Sequence, residues 1–186
     1  MIGGVVAALL GPLDYMFGET LRVAVTVAIV LAVLMALGAK AGGWGFERAA
    51  RNWLFLTGVA AIVLFTQHSP YEGTGRVLDL TPFGDLKAAR ISVHRRDLVL
   101  ANIALFMPLG AALAWRGTRF VKTVAVGVVL SVGAEALQYI GGNGRIAQLE
   151  DLIYNTFGTG LGWILAAACL WLARGSLVGR TDVQRA

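Results

Sequence analysis

Six polar side chains lie in or beside the most apolar part of the chain, and their types suit two kinds of chemistry. They are Asn102, Glu135, Gln138, Arg145, Asp151 and Asn155. Amides donate and accept hydrogen bonds and charged groups attract opposite charge, so the set suits recognition of a polar ligand. A carboxyl group such as Glu135 or Asp151 is also a candidate general acid or base. Polar groups are costly in hydrocarbon, which favours a functional reason for their presence.

Helical spacing predicts that these side chains share faces. Ser131, Glu135 and Gln138 follow one another at helical intervals of four and three residues, which place them on one face of a helix. Asp151 and Asn155 share a face of the next helix for the same reason. Counted from the predicted helix ends, all members of the set lie at similar depth, in the outer third of a membrane. The alternative is that they only join helices by hydrogen bonds.

Four further residues are expected to shape the helices that carry this set. A proline inside a helix removes one backbone hydrogen bond and favours a kink, and glycines spaced four residues apart let another helix approach closely. The residues are Pro108, Gly110, Gly158 and Gly162.

The composition predicts an integral membrane protein. The chain has 186 residues, of which 57% are hydrophobic and 15% charged, whereas about 25% charge is usual in soluble domains. We therefore predict an all-α polytopic transmembrane helix bundle of about five spans. The apolar segments lie at about residues 23–37, 52–66, 98–115, 121–140 and 152–173.

Three regions are expected along the chain. Residues 1–20 are short for a span and are predicted to be an interfacial or re-entrant segment that ends near Pro12. Residues 21–174 form a single transmembrane domain, and residues 175–186 a polar, frayed cytoplasmic tail. The run Gly141–Gly144 lacks the Lys-Ser/Thr of a phosphate-binding loop and is predicted to be a tight turn.

The basic loops predict the orientation. With the N-terminus outside, three basic segments face the cytoplasm, around Lys40, around Arg116 and after Arg174, which agrees with the positive-inside rule. The connection at 67–97 conflicts with this, because it would be external and yet carries several basic residues. We predict the bacterial cytoplasmic membrane, with the C-terminus inside.

Several ligand classes are not expected. The net charge of +5 is attributed to topology and to contact with anionic lipid headgroups, not to nucleic acid. His68 and His94 have no Cys or carboxylate at metal-ligand spacing, so no metal site is predicted. No cofactor is predicted, and protein partners stay open.

Four short motifs resemble the VanZ-like family of bacterial membrane proteins, over about residues 79–165. They are Leu80-Thr81-Pro82-Phe83, Asn102-x3-Phe106-x-Pro108-x-Gly110, Glu135-x2-Gln138 followed by Gly144-Arg145, and Asp151-x3-Asn155-x2-Gly158. The chain departs from the family at Gln148, where members often have an acidic residue, although Glu150 stands close by. The family's namesake is linked to low-level resistance to the glycopeptide teicoplanin, and most members have no assigned activity.

The resemblance and the polar set together lead to one expected function and two alternatives. The expected function is binding of an amphiphilic envelope molecule, either a lipid-linked precursor or a glycopeptide, at an outward-facing polar site. The first alternative is an intramembrane enzyme acting on a lipid-linked substrate, with Glu135 or Asp151 as general acid or base. The second is a structural subunit of a membrane complex.

Overall fold

The described part of the chain forms five long helices and two short strands. A computed structural model describes the backbone of residues 2–43, 45–67, 75–84, 93–141 and 143–183, and the side chains of 22–43, 45–67, 76–84, 96–141 and 146–173. In chain order the elements are α1 (Ile2–Gly42), α2 (Phe46–Gln67), β1 (Gly75–Asp79), α3 (Val93–Trp115), α4 (Phe120–Gly141), β2 (Asn143–Gln148) and α5 (Leu149–Val183).

Each of the five helices contains a stretch long and apolar enough to cross a membrane. These stretches are Arg22–Gly42, Phe46–Gln67, Arg96–Trp115, Phe120–Gly141 and Leu149–Ala173. At 1.5 Å per residue each is at least as long as the roughly 30 Å of a bilayer core. The predicted five-span helical membrane bundle is therefore confirmed.

Long-range hydrogen bonds establish which helix ends lie together. The Gln138 side chain near the end of α4 bonds to the carbonyl of Thr66 near the end of α2. At the opposite end, Arg116 after α3 donates to Asn52 near the start of α2. We call the end that carries β1 and β2 the sheet end. The other is the basic end, where the described basic residues are Lys40, Arg48, Arg51, Arg116, Arg119 and Lys122.

The two strands were not predicted, and they add a small sheet to the expected all-α fold. β1 pairs with β2 in parallel, with Val77 opposite Ile146 and Asp79 opposite Gln148. Part of the predicted tight turn after α4 is thus strand β2. Glycine and asparagine in this segment indicate a turn by local preference, but the pairing partner lies far away in sequence and leaves no local signal.

The ends of the chain also differ from expectation. Helix α1 runs from Ile2 to Gly42 without a break at Pro12, where the sequence predicts an end. The position of residues 1–20 relative to the membrane stays a prediction. Helix α5 continues to Val183, through most of the segment predicted as a frayed tail.

Helices α3 and α5 form the most extensive helix contact, and glycines allow it. A Cβ atom on Gly158 would collide with the backbone of Ile103, and one on Gly162 with the backbone of Met107. Gly110 on α3 lies equally close to the carbonyl of Thr159. Backbones that touch in this way gain van der Waals contacts, which drive helix association in lipid.

The apolar core lies between α2, α3 and α4. Ile62, Phe106, Leu109 and Leu113 form its buried cluster, with Leu130 packed against it. Helix α3 is continuous through Pro108, whose carbonyl carbon lies near Gly58 of α2. This packing fixes the relative positions of the helices that carry the polar residues.

Candidate ligand-binding site at the sheet end

The first pair of the predicted set joins α3 to α5. The amide of Asn102 donates a hydrogen bond of 2.5 Å to Oδ1 of Asp151. Asp151 is in the first turn of α5, where a carboxylate interacts favourably with the positive end of the helix dipole. The two helices run in the same direction, so the contact ties their N-terminal parts together at the sheet end.

The second pair joins α5 to α4 in the interior. Nδ2 of Asn155 donates to Oγ of Ser131 over 2.9 Å. Asn155 is only 1% exposed, and its other amide atom, Oδ1, has no hydrogen-bond partner. If the amide were turned over, Oδ1 would accept from the serine hydroxyl and Nδ2 would lose its partner, so one buried amide atom is left over in either orientation.

Glu135 ties α4 to the strand β2. Its Oε2 accepts a hydrogen bond of 2.9 Å from the backbone N–H of Gln148. Gln148 is the position where the resemblance noted in the sequence leads us to expect a carboxylate. In this chain the position contributes its backbone, and the acid nearby is Glu150.

Gln138 joins α4 to α2. Its Nε2 donates to the carbonyl oxygen of Thr66 over 2.5 Å, while the Thr66 hydroxyl bonds back to Ile62. A carbonyl only accepts, so the amide orientation of Gln138 is fixed. Gln138 is 4% exposed and its Oε1 has no partner. A second buried acceptor is therefore left without a donor near the same end of the bundle.

The structure thus brings five of the six predicted residues into one region. Ser131 and Gln138 are buried and Glu135 half-buried, on the inward face that their spacing predicts. Contacts from this face and from α5 link four helices and β2. The backbone of Arg145 lies in β2. Its side chain is outside the described part of the chain. The shortness of the turn after α4 predicts that Arg145 bends back over Glu135 and Asp151, and this contact stays a prediction.

Two residues of this region were not among the predicted set. Glu150 is 3% exposed and accepts a hydrogen bond of 3.2 Å from the hydroxyl of Tyr154. The sequence contained a signal for this pair, because residues spaced by four lie next to each other on one face of a helix. Thr66 contributes its carbonyl group, which every residue type has, so no sequence signal identified it.

Next to the cluster, the segment after β1 makes a tight turn. The backbone N–H of Thr81 donates to the carboxylate of Asp79 over 2.8 Å. This hydrogen bond lowers the pKa of Asp79 below its ordinary value, because it stabilises the charged form. Phe83 has a positive φ of 61°, an uncommon backbone conformation for an aromatic residue. A Cβ on Gly84 would lie 3.5 Å from the Glu150 carboxylate, so this turn approaches the cluster.

Fold and site together define a multi-pass helical membrane protein with a buried polar cluster at one end. The family model described as VanZ/LLP1 matches residues 52–172, from the second turn of α2 to near the end of the spanning part of α5. The chain therefore belongs to the VanZ-like family. Searches of curated proteins and of solved structures found no match.

Proposed function

We propose that this protein binds an amphiphilic cell-envelope molecule, a lipid-linked precursor or a glycopeptide, by its polar group at the sheet end. The binding groups are the amides of Asn102, Gln138 and Asn155 and the charged side chains of Glu135, Arg145 and Asp151. The amides exchange hydrogen bonds with the ligand, and the charged groups set its orientation.

One observation carries the proposal: two buried amides of this cluster each leave one atom without a hydrogen-bond partner among the described residues. The atom is Oε1 in Gln138, and in Asn155 it is Oδ1, or Nδ2 if the amide is turned over. A buried polar atom without a partner costs about 1–3 kcal/mol. Residues that only hold helices together gain nothing from this cost, whereas a binding site needs unpaired polar atoms. A ligand group that can both donate and accept hydrogen bonds, such as a sugar hydroxyl, fits both amides.

The distribution of charge supports an external sheet end. The basic end has six described basic residues and, in Glu47, one described acid. At the sheet end the basic residues with described side chains are Arg22, Arg76 and Arg96, which is half the number at the basic end. The positive-inside rule then puts the basic end in the cytoplasm and the N-terminus of α1 outside. A site that opens to the exterior of a bacterial cytoplasmic membrane meets lipid-linked precursors and glycopeptides.

The test is a titration of the purified protein in lipid nanodiscs with two probes, a lipid-linked disaccharide precursor and teicoplanin, added separately. Asn155→Ala and Gln138→Ala each remove one amide with an unpaired atom. Tyr139→Phe is the matched control, since Tyr139 is exposed beside Gln138. We expect at least one probe to bind, about tenfold more weakly to each alanine variant than to the wild type, and equally well to the control.

Two outcomes would overturn the proposal. Neither probe binds the wild-type protein, or both alanine variants fold and bind as tightly as the control. Folding is checked by the elution profile and thermal transition of each variant. The second outcome would favour a structural role for the amides.

A further inference from the structure

The lipid-facing surface between α2 and α4 contains a groove with a volume of about 140 Å³. Its walls are the apolar side chains of Val59 and Val63 on α2 and of Val129 and Leu137 on α4. The lining ends at Gln67, the last residue of α2. The eight residue steps from Val59 to Gln67 give a length of about 12 Å. The groove therefore runs from the middle of the membrane to the sheet end.

The groove is open at Gly133 of α4, a glycine that is not needed for close contact with another helix of this chain. A Cβ atom on Gly133 would meet no atom of the described residues within 4 Å, and Gly133 lines the groove. Glycine in the interior of a helix costs roughly 0.5–1 kcal/mol relative to alanine. The glycines of α3 and α5 offset such a cost by close helix contact, but Gly133 gains no such contact. Its effect is to keep the groove open.

The polar end of the groove is continuous with the cluster of hydrogen-bonded residues. Thr66 and Gln67 form the end of its lining. Thr66 is also the residue whose carbonyl receives the Gln138 amide, and the Oε1 of that amide has no hydrogen-bond partner among the described residues. The end of an occupant of the groove thus lies beside Thr66, the direct hydrogen-bond partner of Gln138.

We infer that the groove holds one hydrocarbon chain of the lipid-linked precursor whose polar group binds at the sheet end. This inference rests on the proposed function. Within a bilayer a chain gains little by moving from lipid into an apolar groove, because both surroundings are hydrocarbon. The chain nevertheless prefers the groove, because it is attached to a polar group that is bound next to it. This attachment raises the effective concentration of the chain at the groove.

The experiment uses the full-length protein in vesicles of phosphatidylethanolamine and phosphatidylglycerol. One arm contains a trace of polyprenyl-linked disaccharide with a diazirine in the chain, and the other a phosphatidylethanolamine with a diazirine in one acyl chain. After illumination, mass spectrometry locates the adducts. Gly133→Leu fills the groove. Val132→Leu, on the neighbouring lipid-facing position, is the matched control.

We expect the precursor probe to label groove residues such as Val63 and Leu137 in the wild type and in Val132→Leu. In Gly133→Leu this labelling falls to the level of lipid-facing residues elsewhere, such as Ile29. The phospholipid probe should label all lipid-facing residues evenly. Even labelling by the precursor, unchanged labelling in Gly133→Leu, or equal groove labelling by the phospholipid would each overturn the inference.

A second measurement separates this inference from the proposed function. A disaccharide pyrophosphate without a chain is titrated against the wild type and Asn155→Ala. If the chain-free analogue binds in an Asn155-dependent way while groove labelling is absent, the groove inference fails alone. If groove labelling by the precursor is present and both Asn155→Ala and Gln138→Ala bind the precursor normally, the proposed polar site fails, and the chain occupies the groove with its polar group anchored elsewhere.

Discussion

The Asn102 amide and the Asp151 carboxylate are joined by a hydrogen bond of 2.5 Å between two helices that run in the same direction. Parallel helices separated by two other elements have no connecting loop to hold their ends in register. The contact between these residues therefore sets how far α5 can slide along α3, while the glycines below it set how close the helices come.

Replacing Asn102 by alanine should reduce stability modestly. One interhelical hydrogen bond is lost, which in membrane proteins is worth about 0.6 kcal/mol on average and up to about 1.7 kcal/mol. Asn102→Asp should cost more, because it brings two carboxyl groups together. The measurement is unfolding in mixed micelles with increasing dodecyl sulfate. Leu100→Ala is the control, since Leu100 is 55% exposed to lipid on the same helix. Equal stability of all three variants would contradict this role of Asn102.

Alanine at the close-contact glycines should be much more disruptive than alanine at an open one. In Gly158→Ala and Gly162→Ala the new methyl group collides with the backbone of α3, and overpacking of this kind costs typically about 1–3 kcal/mol. Gly133→Ala adds a methyl group to open space and should be neutral or stabilising by up to about 1 kcal/mol. Thermal transitions followed by fluorescence-detected size exclusion compare the three. A similar loss in all of them would refute the packing argument.

The contrast between these glycines shows what sequence does and does not predict in a membrane bundle. The spacing of Gly158 and Gly162 predicted a close helix contact, and the spacing of Ser131, Glu135 and Gln138 predicted one inward face. The hydrogen-bond partners of these side chains could not be predicted from the sequence in the same way. Gln138 bonds to Thr66, 72 residues away, on a helix whose position beside α4 has no periodic signal. In lipid both the core side and the outer side of a helix are apolar, so hydrophobic periodicity does not define neighbours.

Glu135→Gln should preserve the fold and most of the binding. A glutamine oxygen can still accept the hydrogen bond from Gln148, so α4 stays attached to β2. Precursor affinity is expected to change by less than about tenfold. Mass spectra of the precursor before and after incubation provide the second readout. If the wild type converts the precursor and Glu135→Gln does so at least about a hundredfold more slowly, the protein is an intramembrane enzyme instead.

The turn at Asp79 should titrate below the ordinary range of an aspartate. The hydrogen bond from Thr81 lowers the folded-state pKa of Asp79. Its stabilising effect is therefore present above the unfolded pKa and is lost as the pH falls through the lower folded value. The Thr81 amide chemical shift should move at a pH below 3.8, the ordinary pKa. Asp79→Asn should abolish this movement while keeping the turn. A transition at or above 3.8 would contradict the expectation.

The orientation predicts opposite labelling of two engineered cysteines in a Cys169→Ser background. Leu80→Cys is at the sheet end and 62% exposed, while Gly45→Cys is in the loop at the basic end. A membrane-impermeant maleimide should label Leu80→Cys in intact cells and Gly45→Cys only after permeabilisation. The reverse pattern would place the polar cluster on the cytoplasmic side.

The parallel pairing of β1 with β2 determines when the sheet end can be completed during synthesis. β1 emerges before α3 and α4, and its partner strand emerges only after both. An unpaired strand is not stable inside hydrocarbon, so β1 must wait in water or in the headgroup layer until both later helices have inserted. Glu135 reaches its backbone partner in β2 only at that stage. Completion of the polar cluster is therefore a late event in biogenesis, and a chain truncated after α4 would lack the contacts of Glu135 with β2 and of Ser131 with α5.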